Sequence, residues 1–332
     1  MDSSAKRLGA MKTSCVMVTG ANGFVGQVLC AEAIRRNLRI RGAMRSAGEL
    51  PAGAEPVIVG AIDGATDWTD ALRGVDAVIH LAARVHVMKE PAADPLAEFL
   101  RINLHGTANI ARQAVRAGVR RFVYVSSIKV NGEQTTGTQS FTESDRPDPQ
   151  DAYAVSKWQA EQALQHIAQE TGLEVVIVRP PLVYGPGVKG NFIKLLAAID
   201  RGVPLPLAGA HNIRSLVYAG NLADALIACA SHPDAVGQTY LVTDSNGVSM
   251  AALVEKIAHA LGRHSRSFYF PPSLLRATAV LFGRAEQVDR LFGSLRASDE
   301  KIRSELSWLP PYTLEQGLRE TADWFRGEHS TG

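Results

Sequence analysis

Long apolar runs are missing from this chain of 332 residues: none reaches the ~18 residues that a membrane-spanning helix requires. The most apolar late stretch, Leu274 to Phe282, is too short to span and has Arg276 and Arg284 close at hand, so it reads as a helix packed on the body or a weak interfacial patch. No apolar region follows the charges of Met1–Arg7, which argues against a secretory leader and places the expected location in the cytoplasm. Cysteine is scarce. Cys15, Cys30 and Cys229 show no C-x-x-C spacing, which excludes a disulfide scaffold and gives no metal site; reduced core thiols are expected. Neither sign of charge dominates, with 35 basic and 33 acidic residues and a net charge of +2, so no basic stripe points to nucleic acid. Internal repeats and low-complexity tracts are absent. What is present, 46% apolar and 20% charged residues, is an ordinary globular composition with a small molecule as the expected partner.

From Cys15 to Val178, short β-branched runs alternate with longer segments of helical spacing, the pattern of parallel βαβ units. The strands are expected at Cys15–Val18, Arg39–Met44, Pro56–Val59, Ala77–His80, Arg121–Val125 and Val175–Val178, and the helices at Gly26–Asn37, Thr69–Arg73, Pro95–Ala117 and Asp151–Thr171. Continuous Val-Val-Ile-Val at 175–178 predicts a strand buried on both faces. After Arg179 the texture turns to Pro180-Pro181, Gly185-Pro186-Gly187, Pro204 and Pro206, and a boundary is expected there. The reading is residues 1–13 as a flexible N-terminus, 14–180 as a dinucleotide-binding domain and 181–328 as a substrate-binding region. Residues of about 212–245 return to the first domain through a helix at Asn221–Cys229 and a strand at Thr239–Val242.

Gly20, Gly23 and Gly26 follow a strand ending in Val18-Thr19. Glycines so placed supply a tight turn, close backbone approach to a pyrophosphate, and a helix N-terminus whose amides face the anion. At the end of the second strand an acid would bind the adenosine ribose, whereas a base would pair with a 2′-phosphate. The sequence there is Ala43-Met44-Arg45-Ser46, favouring NADP(H) over NAD(H) unless Arg45 is simply a solvated loop charge. His80 reads as a hydrogen-bonded structural histidine.

Tyr153 and Lys157, four apart in a segment of helical pattern, project from one helix face. By chance alone, about one chain in five of this composition carries such a pair, so its weight comes from its neighbours. A phenol of pKa ~10 acts as a base near neutrality only if a nearby ammonium and an oxidised nicotinamide favour the phenolate. Ser126-Ser127 closes a strand and puts a hydroxyl at the carboxyl edge of a parallel sheet, where it can orient a substrate oxygen.

Together, Thr19–Gly26, His80–Ala83, Asn103 within Arg101–Thr107, Ser127, and the Tyr153/Lys157 pair resemble the extended short-chain dehydrogenase/reductases, in particular the nucleotide-sugar epimerase/dehydratase family, over about residues 14–325. The resemblance implies an α/β fold: a Rossmann doubly wound parallel sheet with a smaller C-terminal α/β substrate-binding domain. It implies Ser127, Tyr153 and Lys157 as catalytic residues. It further implies a cofactor site made by Gly20, Gly23, Phe24, Val25, Gly26, Arg45, Ile62, Asp63, Leu81, Ala82, Ala83, Asn103, Ser126, Pro180 and Val183, with Tyr153 and Lys157 also touching the dinucleotide. Lys129, Asn191, Phe192, Arg214 and Arg290 are the implied substrate contacts, and a homodimer through Pro95–Ala117 and Asp151–Thr171 is implied as well. Leu306-Ser307-Trp308-Leu309-Pro310 resembles the family's terminal Leu-Gly-Trp-x-Pro turn, with serine in place of glycine.

Relatives that dehydrate sugars carry Asp-Glu immediately after the catalytic hydroxyl residue; here those positions are Ile128-Lys129, which argues against elimination. The segment from Ser126 to Gly132 resembles UDP-4-keto-6-deoxy-N-acetylhexosamine reductases of O-antigen synthesis and hexose 4-epimerases. Without a strand-two acid, the reading favours an exchangeable NAD(P)H and hence the 4-ketoreductase. The alternatives are a UDP-glucose or UDP-GlcNAc 4-epimerase with tightly bound NAD and, in a different class, a non-catalytic NADP(H)-binding sensor.

Overall fold

A computed structural model describes residues 15–85, 94–244, 247–271 and 292–329; the expectations placed on residues 1–13, Leu274–Phe282 and Arg290 lie outside these. In chain order the first part comprises β1 (Cys15–Thr19), α1 (Phe24–Arg35), β2 (Arg39–Met44), β3 (Ala54–Ile58), β4 (Ala77–His80), α2 (Pro95–Phe99), α3 (Thr107–Arg116), β5 (Arg121–Val125), α4 (Ala152–Thr171) and β6 (Glu174–Arg179). The second comprises β7 (Leu182–Tyr184), α5 (Gly190–Asp200), β8 (Ile213–Arg214), β9 (Leu216–Tyr218), α6 (Ala219–Ser231), β10 (Thr239–Leu241), β11 (Val248–Ser249) and α7 (Met250–Ala260), followed by helices at Glu300–Leu306 and Leu314–His329.

Seven strands form one all-parallel sheet in the order β10-β6-β5-β4-β1-β2-β3. The period-2 alternation of each strand divides its side chains between two cores. In β1, Val16 and Val18 face α1 and α6, while Cys15 and Met17 pack into the core formed with α3 and α4. Val176 and Val178 join the first core, Val175 and Ile177 the second. Each such side chain contributes about 1.5–3 kcal/mol on burial. β3 is an edge strand, which is why Pro56, with no N–H to donate, is tolerated within it. The three cysteines are buried and unpaired.

Most expected elements form, with two differences. Thr69–Arg73 is a set of hydrogen-bonded turns and not a helix: five residues between the anchored Trp68 and Gly74, at φ 69°, are too few to recover the cost of helix nucleation. The Pro95–Ala117 segment is a helix interrupted by a π-helical stretch at Leu100–Gly106. Ser307 adopts φ 51° and ψ 30° where it ends the 300–306 helix, the left-handed conformation that explains glycine in the family's turn.

β10 hydrogen-bonds β6 from Thr239 to Leu241, so the returning strand is part of the first sheet, and α6 packs beside α1 against the same core. The remaining second part has its own core around Tyr184, Phe192, Leu253, Ile257 and Phe325. Asp244 fastens the parts together, accepting from the Tyr184 hydroxyl, the Tyr218 amide and Asn221 Nδ2, each at 2.7 Å. Among the described residues no helix is long and apolar enough to cross a membrane.

At the carboxyl end of β6, Arg179 holds the fully buried Glu161 of α4 through Nε at 2.9 Å and Nη2 at 2.6 Å, and donates through Nη1 to Asn131 Oδ1 at 3.0 Å. Removing one member leaves a buried, uncompensated charge. Glu161→Ala is therefore expected to lower the unfolding free energy by about 3–5 kcal/mol in urea titrations.

Candidate active site

β1 delivers Thr19 to the carboxyl edge of the sheet, and the chain turns at Gly20, φ 67°, whose amide donates to Ala43 O at 3.0 Å. The Gly23 amide donates to Gly20 O at 2.9 Å, and α1 starts at Phe24 without a side-chain cap, leaving its first amides directed at the cleft. A Cβ at Gly26 would lie 2.2 Å from Gly20 O, and one at Gly20 would lie 3.2 Å from the Ala82 backbone. The strand, turn and helix thus close to a distance that only glycine permits, forming a cradle that fits a pyrophosphate.

This cradle opens into a cleft of about 340 Å³ lined by Gly20, Gly23, Arg45, Ile62, Leu81, Ala82 and Ala83, so seven of the expected cofactor residues converge. Asn22, Ala61, Arg84, Arg101 and Ile102 line it too; the sequence reading missed these. Asp63 sits beside the cleft with its carboxylate accepting from Arg101 at 3.1 Å. Phe24 sends its ring toward Gly185 and Gly187 of the second part, Val25 packs on the core of the sheet, and Val183 lies in β7, paired with Val217. His80 is buried, with Nδ1 2.8 Å from Thr19 Oγ1 and Nε2 3.1 Å from Thr107 Oγ1. Burial drives its pKa down to about 3, so it stays neutral and structural.

The residues expected to transfer the proton lie beyond β4, at the end of β5 and the start of α4. β5 ends at Val125, and the Ser126 amide donates to Val178 O at 2.7 Å. Ser126 is 4% exposed, and its Oγ has no hydrogen-bond partner among the described residues, leaving a polar atom at the sheet edge. Pro180 O accepts from the Ile128 amide at 3.0 Å, which keeps the segment after β6 alongside. Ser127 caps the short 3₁₀ turn Ile128–Val130, its Oγ accepting from the Lys129 amide at 3.3 Å, and lies near the Tyr153 phenol. Asp151 caps α4, with Oδ1 accepting from the Ala154 amide at 2.7 Å, so Tyr153 and Lys157 face inward from its first turns. Burial pushes the Tyr153 phenol up to about 12, the nearby Ser127 hydroxyl opposing and the nearby Asp151 charge adding to it. Lys157 is fully buried, with Nζ donating to Val125 O at 2.7 Å and lying 4.4 Å from the Tyr124 ring centre. Burial lowers its pKa to about 7, against the pull of Glu161.

Asn103 sits inside the π-helical stretch and is buried. Its Oδ1 accepts from the Arg84 amide at 2.8 Å, while its Nδ2 donates to Arg84 O at 3.0 Å and Ser156 Oγ at 2.9 Å. It therefore ties the loop after β4 to α4, a placement in keeping with the frequent occurrence of π-bulges at functional sites.

The expected substrate contacts fare unevenly. Lys129 Nζ is held by Asp151 and Glu133. Arg214 is partly buried and faces Glu133. Asn191 is exposed in the first turn of α5, whereas Phe192 is 4% exposed and stacks on Tyr184 with ring centres 5.5 Å apart, so its ring serves the core.

Two outcomes follow. Gly26→Ala should weaken dinucleotide binding at least about tenfold by calorimetry, because its Cβ collides with backbone and not with a movable side chain. Lys157 binds its proton more weakly in the folded chain than at its ordinary 10.5, so it opposes folding most below pH 7, and the opposition fades as pH rises toward 10.5. Lys157→Met should thus unfold at higher urea than the wild type at pH 7, the gap narrowing by pH 10.

Residues 16–243 match the family model for the NAD dependent epimerase/dehydratase family. The chain is 39% identical to a UDP-glucose 4-epimerase of Vibrio cholerae, over 93% of this chain and 95% of that protein. It is 25% identical to N-acetyl-alpha-D-glucosaminyl-diphospho-ditrans,octacis-undecaprenol 4-epimerase of Escherichia coli O157:H7, over 93% and 94% of the two chains. The fold superposes on MoeE5 in complex with UDP-glucose and NAD, with a TM-score of 0.76 and 27% identity over 94% of this chain and 99% of that one. With the glycine cradle, the strand-end serine and the Tyr153/Lys157 helix in place, this chain belongs to the NAD-dependent epimerase/dehydratase family of nucleotide-sugar enzymes.

Proposed function

We propose that the chain interconverts the C4 epimers of a UDP-hexose, the substrate's 4-hydroxyl lying between Ser127 and Tyr153. The observation that carries this reading is the convergence of Ser127 after β5 with Tyr153 and Lys157 in the first turns of α4, where Lys157 Nζ binds Val125 O at the same sheet edge as the glycine cradle. The likeness to the Vibrio cholerae epimerase along nearly its whole length supports it.

When bound, the dinucleotide supplies the hydride acceptor and donor at C4. Tyr153 takes the 4-hydroxyl proton during oxidation and returns it during reduction. Ser127 donates to the developing oxygen and holds the phenol in line. Lys157, already near its titration point, lends the positive charge that lowers the cost of the phenolate. Ile128 and Lys129 offer no carboxyl acid and base of the kind that eliminating water requires, which argues against dehydration. The presence of Ser127, Tyr153 and Lys157 together also argues against a non-catalytic sensor.

A second reading, reduction of a UDP-4-keto-6-deoxyhexosamine by NADPH, is favoured by Arg45. Its guanidinium-bearing side chain lines the cleft at the end of β2, and the nearby Asp63 carboxylate is engaged by Arg101. Neither feature suits a bare ribose as well as a 2′-phosphate.

The two readings separate in one assay. Purified protein given UDP-glucose or UDP-GlcNAc without added cofactor should yield the C4 epimer by NMR, with no net change at 340 nm. Stoichiometric NADPH loss with the 4-keto sugar, and no epimerisation, would establish the reductase instead. Tyr153→Phe should cost about 10²–10⁴-fold in kcat in either case while leaving dinucleotide affinity unchanged; wild-type turnover in that variant would overturn the role given to Tyr153.

A further inference from the structure

Lys129 occupies a position that none of the steps above uses. It follows Ser127 by two residues, and its backbone amide donates to Ser127 Oγ at 3.3 Å. Its ammonium lies between two carboxylates, 2.5 Å from Asp151 Oδ2 and 3.3 Å from Glu133 Oε1. The second oxygen of Asp151 is the N-cap of α4, bonded to the Ala154 amide. One residue therefore spans the two segments that carry the two catalytic hydroxyls, touching the serine through its main chain and the tyrosine's helix through its side chain.

Electrostatics gives this bridge a consequence. Tyr153 is two residues past Asp151, in the first turn of α4, and becomes an anion when it takes a proton. A carboxylate so close opposes that change. Without a counter-charge, Asp151 would secure the helix end while working against the chemistry performed one turn inside it. Lys129 removes the conflict: Asp151 keeps its cap, and its charge is offset by an ammonium that is 31% exposed and so retains part of its hydration.

We infer that Lys129 is a positioning residue that neutralises the helix-capping Asp151, and so keeps the Tyr153 phenolate accessible during proton transfer; this rests on the assignment of Tyr153 as the proton-transfer group. The other charged and titratable groups around Tyr153 are accounted for separately. Lys157 lies on the same helix. Tyr124 of β5 is buried and stacked on the neutral His80 of β4. Glu161 is engaged by Arg179, and Glu133 stands beyond Lys129, facing Arg214. Among the described residues, only Asp151 is both acidic and joined to Lys129 on the phenol's own helix.

The test reads the phenol directly. Tyrosinate absorbance at 295 nm is followed between pH 7 and 11 in the full-length protein saturated with NAD⁺, each variant being compared with its own Tyr153→Phe counterpart. Lys129→Met should move the Tyr153 midpoint upward by about one pH unit, leaving about tenfold less phenolate at a given pH. Lys129→Arg should restore it, and Lys129→Met combined with Asp151→Asn, which keeps a capping side chain but no charge, should return the midpoint to the wild-type value or below. The alkaline limb of the pH profile for sugar oxidation should move in parallel. An unchanged midpoint in Lys129→Met, or a double variant displaced as far as the single one, would overturn the inference. Loss of the difference between wild type and Tyr153→Phe would instead overturn the assignment of Tyr153 on which it rests.

Discussion

Parallel alignment is the constraint on which the rest of the molecule depends. Because β1, β2, β4, β5 and β6 all run the same way, their carboxyl ends fall on a single edge. Thr19, Met44, His80, Val125 and Arg179 end these strands there. Backbone pairing thereby gathers, from positions up to 160 residues apart, the glycine turn, the arginine beside the cleft, the small residues of Leu81–Ala83 and the strand-end serines. Without any one of the pairings, the same residues would be unrelated surface groups.

The contribution of the helices is to approach that edge at controlled distances. At α1 the control is steric, through backbone contact at Gly20 and Gly26. At α4 it is polar. Asp151 caps the helix, Asn103 and Ser156 brace it from the side, and Lys157 anchors it to Val125 O. A fully buried lysine opposes folding, and the ion pair of Arg179 with Glu161 stands behind it as rigid support on the same helix. The site is thus held in an electrostatically unfavourable state by neighbours that are themselves well satisfied, a distribution of strain common where chemistry is done.

What could be read from the sequence follows the range of the interactions involved. Strands buried on both faces are written as Val/Ile runs, so the sheet was legible, and the glycine turn and the Tyr153/Lys157 spacing, being local, were legible as features of one helix face and one turn. Helix length at Thr69–Arg73 was not, since periodicity over five residues does not register the cost of nucleation. Asn103 was legible as a member of a motif, but its role as a brace depends on Arg84 and Ser156, 19 and 53 residues away. Arg84 and Arg101 reached the cleft unannounced, because a surface arginine and a lining arginine look alike in one dimension. Phe192 shows the converse: a residue placed by motif on the substrate's side proves to stack on Tyr184.

The position of β10 carries a consequence for how the protein is made. As the chain leaves the ribosome, β6 is complete at Arg179, yet the strand that covers its outer edge arrives with Thr239, roughly sixty residues later. At ordinary synthesis rates this leaves on the order of 3–12 s in which Val175–Val178 presents an open, unpaired row of amides and carbonyls. The sheet that hosts the chemistry is thus, during biogenesis, a sticky half-built template, and the interval before the seventh strand closes it is when a nascent-chain chaperone has most to protect.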